Sequence, residues 1–309
     1  MGGRTAGAIP DEARPGDADE PRLITPRLLR AWRLPEPTGT KYSRGQVVVV
    51  GGARRTPGAA MLAGLAALRV GAGRLSLAVA EGAAPHLAVA VPESGVTGLP
   101  ESAEGSVTGE DAGRLLEREL GRADAVLVGP GLDDAEGTIR LLEELLEVAP
   151  DELPIALDAY GATVLPDLGK RHRGLLAGRV AMTPNTSELA RLVGADDLEV
   201  EDIPGAAREV VERFGACVAC TGWVVSPEGV WQVTTGDTGL GTSGSGDVLA
   251  GAVAGLLSRG APREQALVWG AHTHAAAGDV LASKFGRVGY LAGELLPELP
   301  LILGSLRGD

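Results

Sequence analysis

Aromatic residues are nearly missing from this chain: they make up 3% of 309 residues, against 44% for all hydrophobic types. Alanine, valine and leucine must therefore fill the core, side chains small enough for helices to lie close on a sheet. Cysteine is almost absent too, with only Cys217 and Cys220, spaced as CVAC. That spacing suits a redox pair or half a zinc site, and equally a small-residue buried strand. On a strand, residues three apart point to opposite faces, so the two sulfurs do not meet. The strand reading is adopted, and a reducing cytoplasm is the expected location.

No apolar run approaches the ~18 residues of a membrane span. The N-terminus lacks the apolar segment of a signal peptide, and its MGGRTA start has Ala6 where myristoylation needs Ser or Thr. Positive charge is in deficit: 28 Lys and Arg against 41 Asp and Glu give a net charge of −13. Without a basic run to offset that charge, nucleic acid and anionic membrane surfaces are not expected partners. A small anion held by backbone amides remains compatible with it. Familiar catalytic signatures are missing as well. No Ser-His-Asp order or HExxH occurs, and His272 and His274 lie about 200° apart on a helix, too far round to share a metal. His274 is read as a packing or supporting residue.

What the chain does have is alternation. Residues 1–21, rich in Gly, Pro, Asp and Glu, read as a disordered acidic tail, and 22–309 as one domain. A short helix is expected after Thr25. Strands are expected at 46–52, 74–80, 124–131, 154–159 and 179–185, with helices at 58–70, 109–121, 136–148, 186–193 and 204–214. Segment 86–93 fits either helix or strand. Strands near 216–221 and 230–235 are expected to form an antiparallel edge with a turn at 226–229, followed by helices after Gly246, across 263–283 and around 290–297. Buried strands alternating with helices predict an α/β fold with a mainly parallel sheet covered on both faces. The pair Gly251 and Gly255 reads as close helix packing.

In such folds ligands collect at the carboxyl ends of the strands. Four expected strands end in unusual loops, at Gly51-Gly52, Gly129-Pro130-Gly131, Asp158 and Asn185. The sharpest signal is GTSGSGDVLAGAVAGLL at 241–257, with three glycines in its first six residues. Successive amides there can face one concavity at a helix start, a phosphate site. Asp247 then caps the helix or acts as a general base; both readings stand. The loop is no P-loop, because Asp247 replaces the lysine, and the first strand ends GGARRTPG rather than GxGxxG.

Taken in order, KYSRGQVVVVGGA (41–53), PGAAMLAGLAALRVGAGRL (57–75), VPE (91–93), VGPGL (128–132), LDA (157–159), TPNTSEL (183–189), GSGDVLAG (244–251) and GYLAGELLPELP (289–300) resemble one family. The chain is similar to the ADP-dependent NAD(P)H-hydrate dehydratases of the ribokinase-like superfamily over about 41–300. The resemblance implies a three-layer α/β/α sandwich and a hydro-lyase. The reaction it implies is that ADP with Mg²⁺ phosphorylates the hydroxyl of the S form of hydrated NADH or NADPH, and phosphate leaves to restore NAD(P)H. It implies Asp247 as the base, with Ser243, Gly244, Ser245 and Gly246 around the phosphoryl group and Thr238 bordering the nucleotide. Gly52, Ala59, Pro92, Gly131, Asn185 and Asp247 would line the hydrate site, with Glu188, His274 and Asp158 in support. No side-chain metal cage is expected, since phosphates hold the Mg²⁺. A homotetramer is implied, with any epimerase on a separate chain. Asn185 stands where the family often has histidine, and Thr221-Gly222 where it has lysine-glycine. The alternatives are a small-molecule kinase of the same fold (acting on a thiazole- or pyrimidine-type vitamin precursor) and a non-catalytic nucleotide binder.

Overall fold

The computed structural model describes residues 8–36, 39–236 and 238–307. Among them ten strands form one sheet: β1 (Arg22–Ile24), β2 (Gln46–Val50), β3 (Arg74–Ala80), β4 (Ser94–Leu99), β5 (Ala125–Val128), β6 (Ile155–Leu157), β7 (Val180–Met182), β8 (Cys217–Cys220), β9 (Trp223–Ser226) and β10 (Gly229–Val233). Their order across the sheet is β1-β10-β9-β8-β7-β6-β5-β2-β3-β4. Only β9 runs against its neighbours.

Strand β2 shows why the sheet is buried on both sides. Its five residues are all buried, with Val47 and Val49 in one core and Val48 and Val50 in the other. Each such valine contributes roughly 1.5–3 kcal/mol by leaving water. One face is covered by α1 (Pro26–Ala31), α2 (Pro57–Arg69), α3 (Ala84–Ala90) and, later in the chain, by three C-terminal helices. The other face carries α4 (Ala112–Leu120), α5 (Ala135–Val148), α6 (Ala159–Thr163), α7 (Lys170–Leu176), α8 (Thr186–Val193) and α9 (Ile203–Phe214). The three that return to the first face are α10 (Ser245–Ser258), α11 (Arg263–Phe285) and α12 (Ala292–Leu306). Three layers result, as expected.

Small residues bring α10 onto α2. A Cβ at Gly251 would lie 2.0 Å from the Ala63 carbonyl oxygen, so only glycine allows this approach. Cys217 and Cys220 are free, buried and divided between the two cores. Burial pushes both thiols up, that of Cys220 to about 11, so neither is a ready thiolate.

The structure corrects four expectations. Segment 86–93 falls mainly in α3, and β4 follows it unforeseen, a glycine-containing strand at the sheet edge. The expected pairing of 216–221 with 230–235 is replaced by two hairpins, because β9 lies between β8 and β10. The tail is the third correction, as residues 8–21, though mostly exposed, make defined contacts with the sheet edge. Gly16 bridges Val230, Ala13 is fully buried, and the Trp231 indole N–H donates to the Ala13 carbonyl at 2.9 Å. Residues 1–7 lie outside the described residues. The fourth, Pro92, belongs with the site.

Candidate active site

Strands β8, β7, β6, β5 and β2 are neighbours and all parallel. Their carboxyl ends therefore open onto one edge, and the loops singled out in the sequence meet there. After β2 and β5 the two glycine turns interlock. The Gly52 amide donates to the Pro130 carbonyl and the Ala53 amide to that of Gly131, each at 2.8 Å. A Cβ on Gly131, whose φ is +75°, would sit 2.4 Å from the Thr56 oxygen and 3.0 Å from the Ala59 Cβ. Gly52, Ala59 and Gly131 thus meet in one closely packed wall of small residues. Pro92 does not join it. It precedes β4, whose Ser94 pairs with Leu75, whereas Gly52 follows Val50, paired with Ala78. Pro92 therefore lies toward the opposite end of the sheet.

Beside that wall three carboxyl groups converge. Asp158 follows β6, is buried, and accepts a 2.9 Å hydrogen bond from the Thr183 hydroxyl. Burial, with Glu188 and Asp247 near by, holds its carboxyl well above the usual range. The next residue, Ala159, takes the left-handed φ of 46°, the kind of strain concentrated at functional sites. Asn185 caps α8: its Oδ1 accepts from the Glu188 amide at 2.9 Å, while Glu188 Oε2 accepts from the Asn185 amide at 3.0 Å. This capping box fixes Glu188, whose carboxyl is also raised by burial. Thr221 follows β8 with a left-handed φ of 43°, and its hydroxyl meets that of Thr186 at 3.2 Å.

The glycine-rich loop supplies the fourth side. Gly244, with φ +88°, is the N-cap of α10, and a Cβ there would lie 2.7 Å from Leu62 Cδ1. Because Gly244 takes the cap, Asp247 makes no capping bond; the capping reading of Asp247 is excluded. The Ser245 amide donates to the Thr242 carbonyl at 3.2 Å, so it is not part of the open cradle. Amides of Ser243, Gly244, Gly246 and Asp247 donate to nothing among the described residues. They stand at the positive end of a 14-residue helix, a place that favours an anion. Thr238 enters through the short turn Thr238–Gly241 leading into this loop.

Asp247 sits in the first turn, half-buried. Burial first, and then the Glu188 charge, raise its carboxyl to about 6. A carboxylate with that value is a competent base near neutrality. Among the described residues no salt bridge reaches Asp158, Glu188 or Asp247. Behind the loop, His274 of α11 holds the Ser245 hydroxyl at 2.9 Å, and burial lowers its imidazole to about 4, leaving it neutral. Thr183, Thr186 and the Ser245–His274 bond escaped the sequence reading, since nothing local marks a hydroxyl that finds its partner across the fold. No group of three His, Cys, Asp or Glu able to hold a metal occurs among the described residues. Nor is any described helix long and apolar enough to cross a membrane.

A mainly parallel sheet covered by helices on both faces is the ribokinase-like fold. A ribokinase-like superfamily protein from Enterococcus faecalis superposes with TM-score 0.77, covering 93% of this chain and 96% of that one at 23% identity. The chain belongs to the NAD(P)H-hydrate dehydratase family, whose pattern matches residues 47–301. It is 42% identical to an ADP-dependent (S)-NAD(P)H-hydrate dehydratase of Xanthomonas campestris pv. campestris, over 92% of this chain and 97% of that protein. An ADP/ATP-dependent NAD(P)H-hydrate dehydratase of Bacillus subtilis, co-crystallised with ATP/Mg²⁺, superposes with TM-score 0.75 at 25% identity, covering 93% and 99% of the two chains. Bifunctional NAD(P)H-hydrate repair enzymes match as well, and the chain spans about half their length, 55% for that of Moorella thermoacetica.

Proposed function

We propose that the chain catalyses ADP-dependent dehydration of the S form of NAD(P)H hydrate, yielding NAD(P)H, AMP and phosphate. The observation that carries this reading is Asp247, an uncapped and half-buried base beside open amides at the start of α10. Asp247 takes the proton of the ring hydroxyl while its oxygen attacks the terminal phosphorus of ADP and the bond to AMP breaks. Amides of Gly246 and Asp247 bear the charge on the transferring group. Phosphate then departs with the C–O bonding electrons. The ring nitrogen supplies electrons to the carbon it leaves, and the neighbouring carbon loses a proton to complete the double bond. Hydroxide leaves poorly and phosphate well, which is why the nucleotide is consumed.

The small-residue wall of Gly52, Ala59 and Gly131 suits a flat ring lying against it, with the exposed Asn185 amide at its side. The donor set also fits Mg²⁺ carried on nucleotide phosphates. Glu188, which makes no salt bridge among the described residues, would help to hold it, leaving Asp247 free as the base. When bound, the ion would neutralise charge on the phosphoryl oxygens. We place the activity in the cytoplasm, in one domain from residue 22 with 8–21 along its edge. We also place it in a homotetramer, which the exposed Val89, Val288, Leu291 and Leu301 would help to bury and sedimentation would test. The deciding assay incubates the protein with hydrated NADH, ADP and Mg²⁺. Recovery of NADH absorbance with stoichiometric AMP and phosphate is expected. A stable phosphorylated alcohol would indicate a kinase instead, and no turnover with ADP or ATP would leave only a binding module.

A further inference from the structure

Ser245 and His274 are both buried, at 2% and 8% exposure, and the Ser245 hydroxyl lies 2.9 Å from His274 Nε2. A serine hydroxyl near a helix start can accept from an amide two or three residues ahead, as N-cap serines do. For Ser245 those amides belong to Asp247 and Val248. Val248 is already satisfied, donating to the Gly244 carbonyl at 3.2 Å. The Asp247 amide has no partner among the described residues. The hydroxyl of Ser245 is therefore an internal competitor for an amide that an incoming phosphate would use, and its bond to His274 engages it elsewhere.

We propose that His274 is a positioning residue that holds the Ser245 hydroxyl off the Asp247 amide and so keeps the phosphate cradle open. The imidazole acts by direction, not by charge: it lies behind the loop on α11, and burial keeps it neutral. Losing the bond frees the hydroxyl to close the cradle with the protein's own oxygen. This inference rests on the nucleotide reading of the loop, and its test separates the two.

ADP affinity in the presence of Mg²⁺ is measured by calorimetry, with KM and kcat from the hydrate assay. The proteins compared are the wild type, His274→Leu, His274→Gln, Ser245→Ala and the Ser245→Ala/His274→Leu double variant. His274→Leu is expected to weaken ADP binding about ten-fold, the scale of one hydrogen bond, and to raise KM more than it lowers kcat. Glutamine, which keeps a polar group facing the hydroxyl, restores most of the affinity. In the Ser245→Ala background no hydroxyl remains to close the cradle, so adding His274→Leu costs nothing further. An equal loss in both backgrounds, or none in the single variant, overturns the proposal. His274→Ala reads the same contrast should leucine not pack. A wild type that fails to bind ADP overturns the nucleotide reading and this inference together. A wild type that binds it while His274→Leu binds equally well overturns the inference alone.

Discussion

Two helices begin within one site and begin in opposite ways. Helix α8 is closed by its own side chains, since Asn185 and Glu188 satisfy each other's amides in a capping box. Helix α10 starts on a left-handed glycine, and its first-turn amides at 246 and 247 have no partner among the described residues. Orphan amides exist at every helix start; what differs is whether the protein or a ligand completes them. The closed start fixes a carboxylate in place, and the open one receives what that carboxylate faces. On the proposed function, stability resides in the first and binding in the second.

The sharpest break of that contrast is at Asp247. Its conversion to Asn is expected to lower turnover about 10²–10⁴-fold in the NADH-recovery assay. The same change should raise stability. A carboxyl whose folded value is about 6 against an ordinary 3.8 destabilises the fold once pH has risen through that window, and the amide removes the charge. After allowance for solvent screening, a gain of about 1–2 kcal/mol in urea unfolding at pH 8 is expected. Equal loss of activity and stability would mean that Asp247 is structural.

The open helix should also report pH. With Asp247 as the proposed base, activity follows its carboxylate form, and kcat is expected to fall about ten-fold per unit below pH 6. Glu188 raises Asp247 by its charge. Glu188→Gln keeps the oxygen that closes α8 but removes that charge, and the acid limb should move to lower pH. A limb that stays in place would assign it to another group. Gly244→Ala forces a side chain into left-handed backbone and toward Leu62. It should weaken ADP binding several-fold in calorimetry and cost about 1–2 kcal/mol in unfolding. Asn185→Ala, at the closed helix, should cost only about 1 kcal/mol of stability. If Asn185 touches substrate as proposed, KM for the hydrate rises as well, and a cap-only residue would leave it unmoved.

The loops around this site were legible in the sequence because each closes a run of apolar residues with glycine, proline or a carboxylate. Parallel topology then put those ends side by side without further information. Pro92 shows the limit. It sits in a recognisable segment, but α3 carries the chain back across the sheet before Pro92 is reached, so sequence order gave it no address. Sequence left Asp247 open between cap and base; the structure gives the cap to Gly244, and the base remains the proposal to test. Thr183 and His274 found their partners 25 and 29 residues away, at separations no local pattern encodes. Residues 8–21 read as disordered from composition, yet one indole and one backbone bridge were enough to fix them.

That segment bears on how the protein behaves at high concentration. β10 would otherwise be an edge strand, and long unpaired edges invite pairing with other chains. β1 lies parallel along it and Gly16 bridges Val230, while the ring of Trp32 stacks on Trp231 at 6.0 Å. Trimming the chain to residue 25 would strip the β10 edge and uncover the indole, with the catalytic residues untouched. Such a truncation should keep its chemistry at first and lose it to aggregation, the expected outcome if the acidic tail guards the edge of the sheet.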